Sequence, residues 1–348
     1  VTNRSNAMQL SAPDSSSLAT VSPQFAGDWI SALRRCCTDG QLESFLQRAG
    51  LHLSAGQLSH RVTLDQIVRL YQIAAVETKD EMTGLWSRPV RPRALQHLLT
   101  TVREAGTLPA ALHRFSTFWN LLLDDYRIDL TEDNATTGLQ LVPQGAQPVQ
   151  RFGHMLILKL AHGLLSWLAG YEVPVRAVHF AFERPGFAQD YAAIFPAPVR
   201  FEAPCSAIVF ETGKLGLPGL RSNAELNAFL ARAPRDWIFT RFREHTQSLK
   251  VREFLFQTSW ESCQLPDAAK ALNVTPRTLM RRLEAEETSF QAIKDGLRRD
   301  LAIRDLQTGK KSIEEISQDV GFSSAANFHR AFRRWTGAPP SSYKSPSA

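Results

Sequence analysis

Apolar positions in the C-terminal third of the chain recur three and four residues apart, in short runs broken by turn-forming residues. That spacing predicts a series of short amphipathic helices. Ile313, Ile316 and Val320 mark one of them, with Ser312 placed to cap it. Gly321 follows, where the helix must stop and turn sharply at a positive φ. Phe328 and Phe332 then face inward from a second helix and leave Ala325, Ala326, His329, Arg330 and Arg333 on its other faces. The same layout occurs earlier. Residues 265–272 form a helix with Pro266 near its start, Asn273-Val274 make the turn, and Thr275-Pro276 open a helix over 277–286 whose Leu279 and Leu283 point inward. Pairing Val274 with Phe322 sets the copies 48 residues apart, and pairing Arg281 with Arg330 sets them 49 apart. Between them, Phe290, Ile293, Leu297 and Leu301 predict an amphipathic connector over 289–306, roughly 27 Å long at the helical rise.

The N-terminal region changes period part-way. Helices are predicted over 25–37, 41–48, 63–78, 92–104 and 108–123. A strand pair over 126–130 and 137–142 follows, folded about Asp133-Asn134-Ala135. A strongly apolar helix spans 149–169, the segment 175–182 alternates as a strand, a short helix covers 188–195, and 199–201 and 207–210 add short strands. The pattern predicts an α+β N-terminal domain, helices packed on a small antiparallel sheet, plus an all-α C-terminal domain of two helix-turn-helix units joined by a long helix. The expected divisions are 1–21 as a tag remnant and disordered tail, 22–215 as the α+β domain, 216–247 as a helical linker, and 248–345 as the paired-unit domain.

Composition narrows the functional classes. The net charge is +6 over 348 residues, and from residue 246 onward 16 Lys/Arg face 12 Asp/Glu. This is mildly basic, unlike a polycationic coating protein. The apolar stretch 155–168 is interrupted by Lys159 and His162, no secretory signal is evident, and no membrane association is expected. Cys36, Cys37, Cys205 and Cys263 show no metal-binding spacing and read as reduced thiols. Arg34 and Arg35 beside Cys36-Cys37 leave a redox-sensing thiolate as a remote alternative. No nucleophile elbow, zinc-protease motif or phosphate loop appears, so no catalytic residue, metal site or cofactor is expected.

Two helix-turn-helix patterns at this spacing, followed by Gly337-Ala338-Pro339-Pro340 and Tyr343, resemble the DNA-binding domain of AraC/XylS-family transcription regulators. Ile316, Gly321, Phe322, Asn327, Phe328, Arg330, Phe332, Gly337, Pro340 and Tyr343 carry the resemblance over about 248–344. Pro339, Lys344 and Glu287 depart from it, at positions where Ser or Thr, Arg, and Gly are usual. The resemblance implies a cytoplasmic regulator, an activator in expectation, that binds double-stranded promoter DNA and works with RNA polymerase. It places Arg277, Met280 and Arg281 of the first unit, and Ala326, His329 and Arg330 of the second, toward the major groove. Arginine suits bidentate contact with guanine, which favours Arg277 and Arg281 as base readers. For Arg330, base contact stands beside phosphate contact or bracing of the fold. Arg282, Lys310, Lys311, Arg333 and Arg334 are the expected phosphate contacts.

Residues 60–220 resemble the ligand-binding and dimerisation region of an AraC subgroup that includes regulators of ornithine use and of virulence. Residues 64–70, 107–112 and 195–210 carry that likeness, which implies that 22–215 is an effector-sensing or dimerisation domain, with 223–242 the expected dimerisation helix of a homodimer. Arg151, His154, Lys159 and His162 interrupt the apolar 149–169 helix, and buried polar groups need partners. A small anionic or amphipathic effector would satisfy them. So would internal pairing with Glu183, Asp124 or Asp125, or exposure at a domain edge, and His179 and Arg184 carry the same alternatives. Three functional readings follow: a regulator gated by effector or dimerisation, one without a ligand and controlled by protein partners or abundance, and, remotely, an enzyme.

Overall fold

The protein is described here from a computed structural model covering residues 20–344, apart from 55–56, 59, 146–149, 196, 220, 235–236, 238–246, 259–262 and 287. The predicted tail therefore lies outside the described residues, as does most of 235–246 in the predicted linker and dimerisation helix.

Strand β1 (Thr20–Val21) leads into helices α1 (Pro23–Leu33) and α2 (Asp39–Arg48). Strands β2 (Leu53–Ser54), β3 (Gln57–Leu58) and β4 (Val62–Thr63) precede α3 (Leu64–Thr78), α4 (Ala94–Arg103) and α5 (Leu108–Leu122). Thr38 and Thr63 each form a capping box with the glutamine three residues on, which fixes where α2 and α3 begin. Strands β5 (Tyr126–Glu132) and β6 (Thr136–Pro143) form the predicted hairpin. The Asp133 carboxylate turns it by accepting from the backbone of Ala135 and Thr136 at 2.7 and 2.6 Å. Helix α6 (Arg151–Ala169), β7 (Val175–His179), a 3₁₀ turn at Ala188–Ala193, β8 (Val199–Arg200), β9 (Ser206–Glu211) and α7 (Asn223–Ala231) complete this half.

The main sheet runs β5-β6-β9-β7-β8. Its one parallel pairing corrects the expected all-antiparallel sheet: β7 lies parallel to β8, with Val178 opposite Val199, because the 3₁₀ segment carries the chain back across. Two ribbons of two-residue strands, β1 with β4 and β2 with β3, were not foreseen, since so short a strand leaves no periodicity. The core is built around α6, nearly all of which is buried. At Gly163 an added β-carbon would collide with the backbone of Trp237, so only glycine admits that approach. Trp237, within the predicted linker, is 1 % exposed and belongs to this core. Helix α6 is long and apolar enough to cross a membrane, contrary to the reading that Lys159 and His162 interrupt it too far; its extensive burial in this core accounts for its character instead.

The C-terminal half is helical: α8 (Gln247–Gln257), α9 (Leu265–Ala271), α10 (Pro276–Ala285), α11 (Phe290–Thr308), α12 (Ile313–Asp319) and α13 (Ala325–Thr336), then a 3₁₀ turn at Pro340–Tyr343. It holds two cores. Val251, Leu255, Leu279, Leu283 and Leu297 anchor the first, and Ile303, Ile316, Phe328, Phe332 and Tyr343 the second. Helix α11 supplies residues to both and so joins the units.

Candidate nucleic-acid interface

Each unit is a short helix, a left-handed turn residue and an exposed helix. In the second, Ser312 and Glu315 form a capping box that starts α12, and Gly321 turns the chain at φ 76°. Ser324 then accepts from Asn327 to start α13. In the first unit the turn residue is Asn273, at φ 54°, and Thr275 caps α10 by accepting from Thr278. Asparagine is among the few side chains that tolerate this conformation. Glu286, just beyond α10, accepts from the first backbone N–H groups of α8, at 2.8 and 3.0 Å. The carboxylate thereby satisfies two otherwise orphaned donors and ties α8 to the end of α10. Arg298 of α11 lies over the Phe322 ring, 5.3 Å from its centroid, and so links the connector to the second turn.

This packing decides which side chains are left outside. Leu279 and Leu283 of α10 and Phe328 and Phe332 of α13 are buried. Arg277, Arg281 and Arg282 are exposed, and Met280, 46 % exposed, is one of the few large apolar side chains outside the cores. On α13, Ala326, His329 and Arg330 are exposed as well. The two helices differ in how free their arginines are. Arg330 donates to the Asn327 side chain at 2.6 Å, one turn back on the same helix. Among the described residues Arg277 and Arg281 have no ion-pair partner, and both are exposed.

The flanking cations are similarly divided. Lys310, Arg282 and Arg333 are exposed, and Arg334 stands 3.8 Å from Asp295. Lys311 bridges Asp305 and Asp319 at 3.3 and 2.6 Å, and these carboxylates raise its pKa. Its ammonium is thus already engaged within the fold.

Of the residues singled out on α6, His154, Lys159 and His162 are buried and Arg151 is partly exposed. Each has a protein partner, though not those foreseen. Arg151 pairs with Asp28 at 2.6 Å. Ser206 Oγ accepts from the Ala181 N–H and shares a hydrogen bond of 2.7 Å with His154 Nδ1. Burial pushes the His154 pKa down to about 3, so the imidazole is neutral. Lys159 donates to His162 Nδ1 at 3.1 Å, and His162 Nε2 donates to the Val173 carbonyl at 2.9 Å. Asp124 and Asp125 instead meet Arg88 and Ser87. His179 is half-buried and Arg184 lies over the Phe201 ring. The adjacent cysteines are not activated thiolates: burial and the neighbouring Cys37 and Asp80 push the Cys36 pKa up to about 11, and burial raises that of Cys37, which gives the redox alternative no support.

The comparisons with known proteins bear on both halves. The model described as the arabinose-binding N-terminal domain of AraC transcription regulators matches residues 40–218, and a helix-turn-helix domain model matches 268–345. The chain belongs to the AraC family of transcription regulators. The ornithine utilization regulator of Pseudomonas aeruginosa is 27 % identical to it over 246 residues, 70 % of this chain and 72 % of that one. The urease operon transcriptional activator of Escherichia coli is 33 % identical over 94 residues, 27 % of this chain and 32 % of the relative. Among solved structures, the transcriptional regulator CdpR of P. aeruginosa is 22 % identical and aligns over 92 % of this chain and 97 % of its own, with a TM-score of 0.31. This AraC-family protein is accordingly a DNA-binding transcription regulator.

Proposed function

We propose that this regulator activates transcription in the cytoplasm by reading two adjacent major-groove faces of promoter DNA with α10 and α13, acting with RNA polymerase. The observation that carries the reading is the pair of exposed helix faces on units joined by one helix. Nineteen residues of α11 extend about 28 Å, which suits recognition helices spaced about 34 Å apart along B-DNA. Arg277, Met280 and Arg281 supply the stronger base readout, and Ala326, His329 and Arg330 the weaker. Arg282, Lys310, Arg333 and Arg334 neutralise phosphates, with Lys311 a lesser contributor because of its carboxylate partners.

Residues 22–215 form the gating domain in this reading and 248–345 the DNA-binding domain, joined through 216–247. Gating acts through an effector or a homodimer. Internal partners on α6 favour a ligand site elsewhere in the domain. Footprinting of the full chain on the DNA upstream of its own gene tests the reading. Two protected major-groove segments one helical turn apart are expected; a single protected segment per bound chain would sink the two-face model.

A further inference from the structure

Helix α1 ends at Leu33, and a carbonyl at a helix C-terminus has no donor within its own helix. Three donors converge on this one. The Cys36 N–H donates to it at 3.1 Å, the Cys36 thiol at 3.3 Å and the Cys37 thiol at 3.2 Å. The turn after α1 thus folds the sulfurs of two adjacent residues onto the same oxygen. Arg35 pins that turn by donating to the Gly84 carbonyl at 2.8 Å. Gly84, at φ 79°, presents bare backbone to Cys36, whose sulfur would stand 3.0 Å from an added β-carbon. Both thiols are partly exposed and pack in part against the N-terminal core. Cys205 and Cys263 lie elsewhere, beside Gln140 and Thr258 at 3.4 Å.

Two familiar fates suit this pair poorly. Across a trans peptide the two Cα atoms stand about 3.8 Å apart, closer than the roughly 4.4 Å at which disulfides become usual. A structural zinc takes four ligands, and among the described residues no group of three His, Cys, Asp or Glu could hold a metal ion. Two convergent thiols fit instead a single bridging atom that needs only two sulfurs. Trivalent arsenic with one organic substituent is such an atom, because its third valence is already filled. Placed between the sulfurs, it lengthens the link that a direct S–S bond would close too tightly. The negative end of α1 favours S–H over thiolate, and condensation with arsenic consumes S–H.

We propose that Cys36 and Cys37 form a chelating dithiol site for monosubstituted trivalent arsenicals, which bind as R–As(OH)2. Each thiol gives its proton to one arsenic-bound hydroxyl, which leaves as water. Two S–H and two As–O bonds break, and two As–S and two O–H bonds form. Arsenic stays trivalent, neither sulfur is oxidised, and reactants and products are neutral. The assignment goes beyond the regulator's DNA reading and does not depend on it.

The test adds one equivalent of phenylarsine oxide to the reduced full chain and follows the adduct by intact mass spectrometry. One phenylarsenic unit is expected per chain, bound with the loss of two thiol hydrogens. It should survive an excess of 2-mercaptoethanol and be stripped by 1,2-ethanedithiol, since only a dithiol competes with a chelate. Peptide mapping of the wild-type adduct should place the arsenic on the segment holding Cys36 and Cys37, a readout that needs no variant to fold. Cys36→Ser and Cys37→Ser should each abolish the persistent adduct, whereas Cys205→Ser and Cys263→Ser should keep it. The folded chain should also bind at least tenfold more tightly than a peptide of residues 31–40, because the fold brings the sulfurs together in advance. No adduct, an adduct removed by 2-mercaptoethanol, or one mapped to Cys205 or Cys263 overturns the site. Equal affinity in peptide and protein overturns the claim that the turn after α1 builds it.

Discussion

Helix α6 of the N-terminal half and helix α10 of the C-terminal half treat their basic side chains in opposite ways. The N-terminal core encloses them: His154, Lys159 and His162 lie on buried α6, and nearby Arg61 is closed over Asp190. The C-terminal half packs leucines and phenylalanines inward and leaves Arg277, Arg281 and Arg282 outside on α10. Enclosed groups must find partners inside the protein and then serve stability or coupling. Exposed ones remain free for an external anion. The difference teaches that the same residue types are informative about DNA only where the fold has not already engaged them. Arg330, exposed yet donating to Asn327, stands between the two cases.

The comparison can be broken most forcefully through pH. The folded-state pKa of His154 is held down at about 3 by burial, whereas an imidazole in the unfolded chain titrates near 6.5. The unfolded chain therefore binds the extra proton in that window, and stability falls as pH drops through it. The slope is about 1.4 kcal/mol per pH unit. Denaturant unfolding between pH 7 and 4 should show this component, and His154→Gln should flatten it; an unchanged slope would mean the imidazole is not enclosed. DNA affinity, by contrast, should not track His154 at pH values where both proteins stay folded.

Gly163→Ala comes next. The added methyl meets the Trp237 backbone, and overpacking of this kind costs about 1–3 kcal/mol. Thermal unfolding should show the N-terminal transition lowered and the C-terminal one in place; coincident lowering of both would mean the halves unfold as one. In the C-terminal half, Ser312→Ala removes the capping box of α12 at about 1 kcal/mol. It should lower that transition alone, with little change in base preference. The smallest effect is expected at Asn273→Gly, where glycine accepts the positive φ without strain. Stability should change by a few tenths of a kcal/mol at most, a difference resolved by chemical unfolding.

Much of this contrast was legible in the sequence, for identifiable reasons. The caps at Ser312 and Thr275, the turn at Gly321 and the inward Phe328 and Phe332 are local features, and the chain encodes them within a few residues. The enclosed groups are another matter. Thr20 meets Asp300 across 280 positions, and Arg61 meets Asp190 across 129. No local pattern predicts which distant partner a buried polar group finds. The sequence placed His154, Lys159 and His162 on an apolar helix and posed the question of their partners, but the answers, Ser206 and the Val173 carbonyl, come from the packing of β9 and the segment after α6.

The central claim is that the exposed face of α10 reads bases. It is tested most directly by measuring the affinity of the wild type and of Arg281→Ala for the operator and for shuffled DNA at one salt concentration. A loss of about 1–3 kcal/mol on the operator, with relaxed preference at one base pair and little change on shuffled DNA, is predicted. An equal loss on both DNAs would contradict the claim and make Arg281 a phosphate contact.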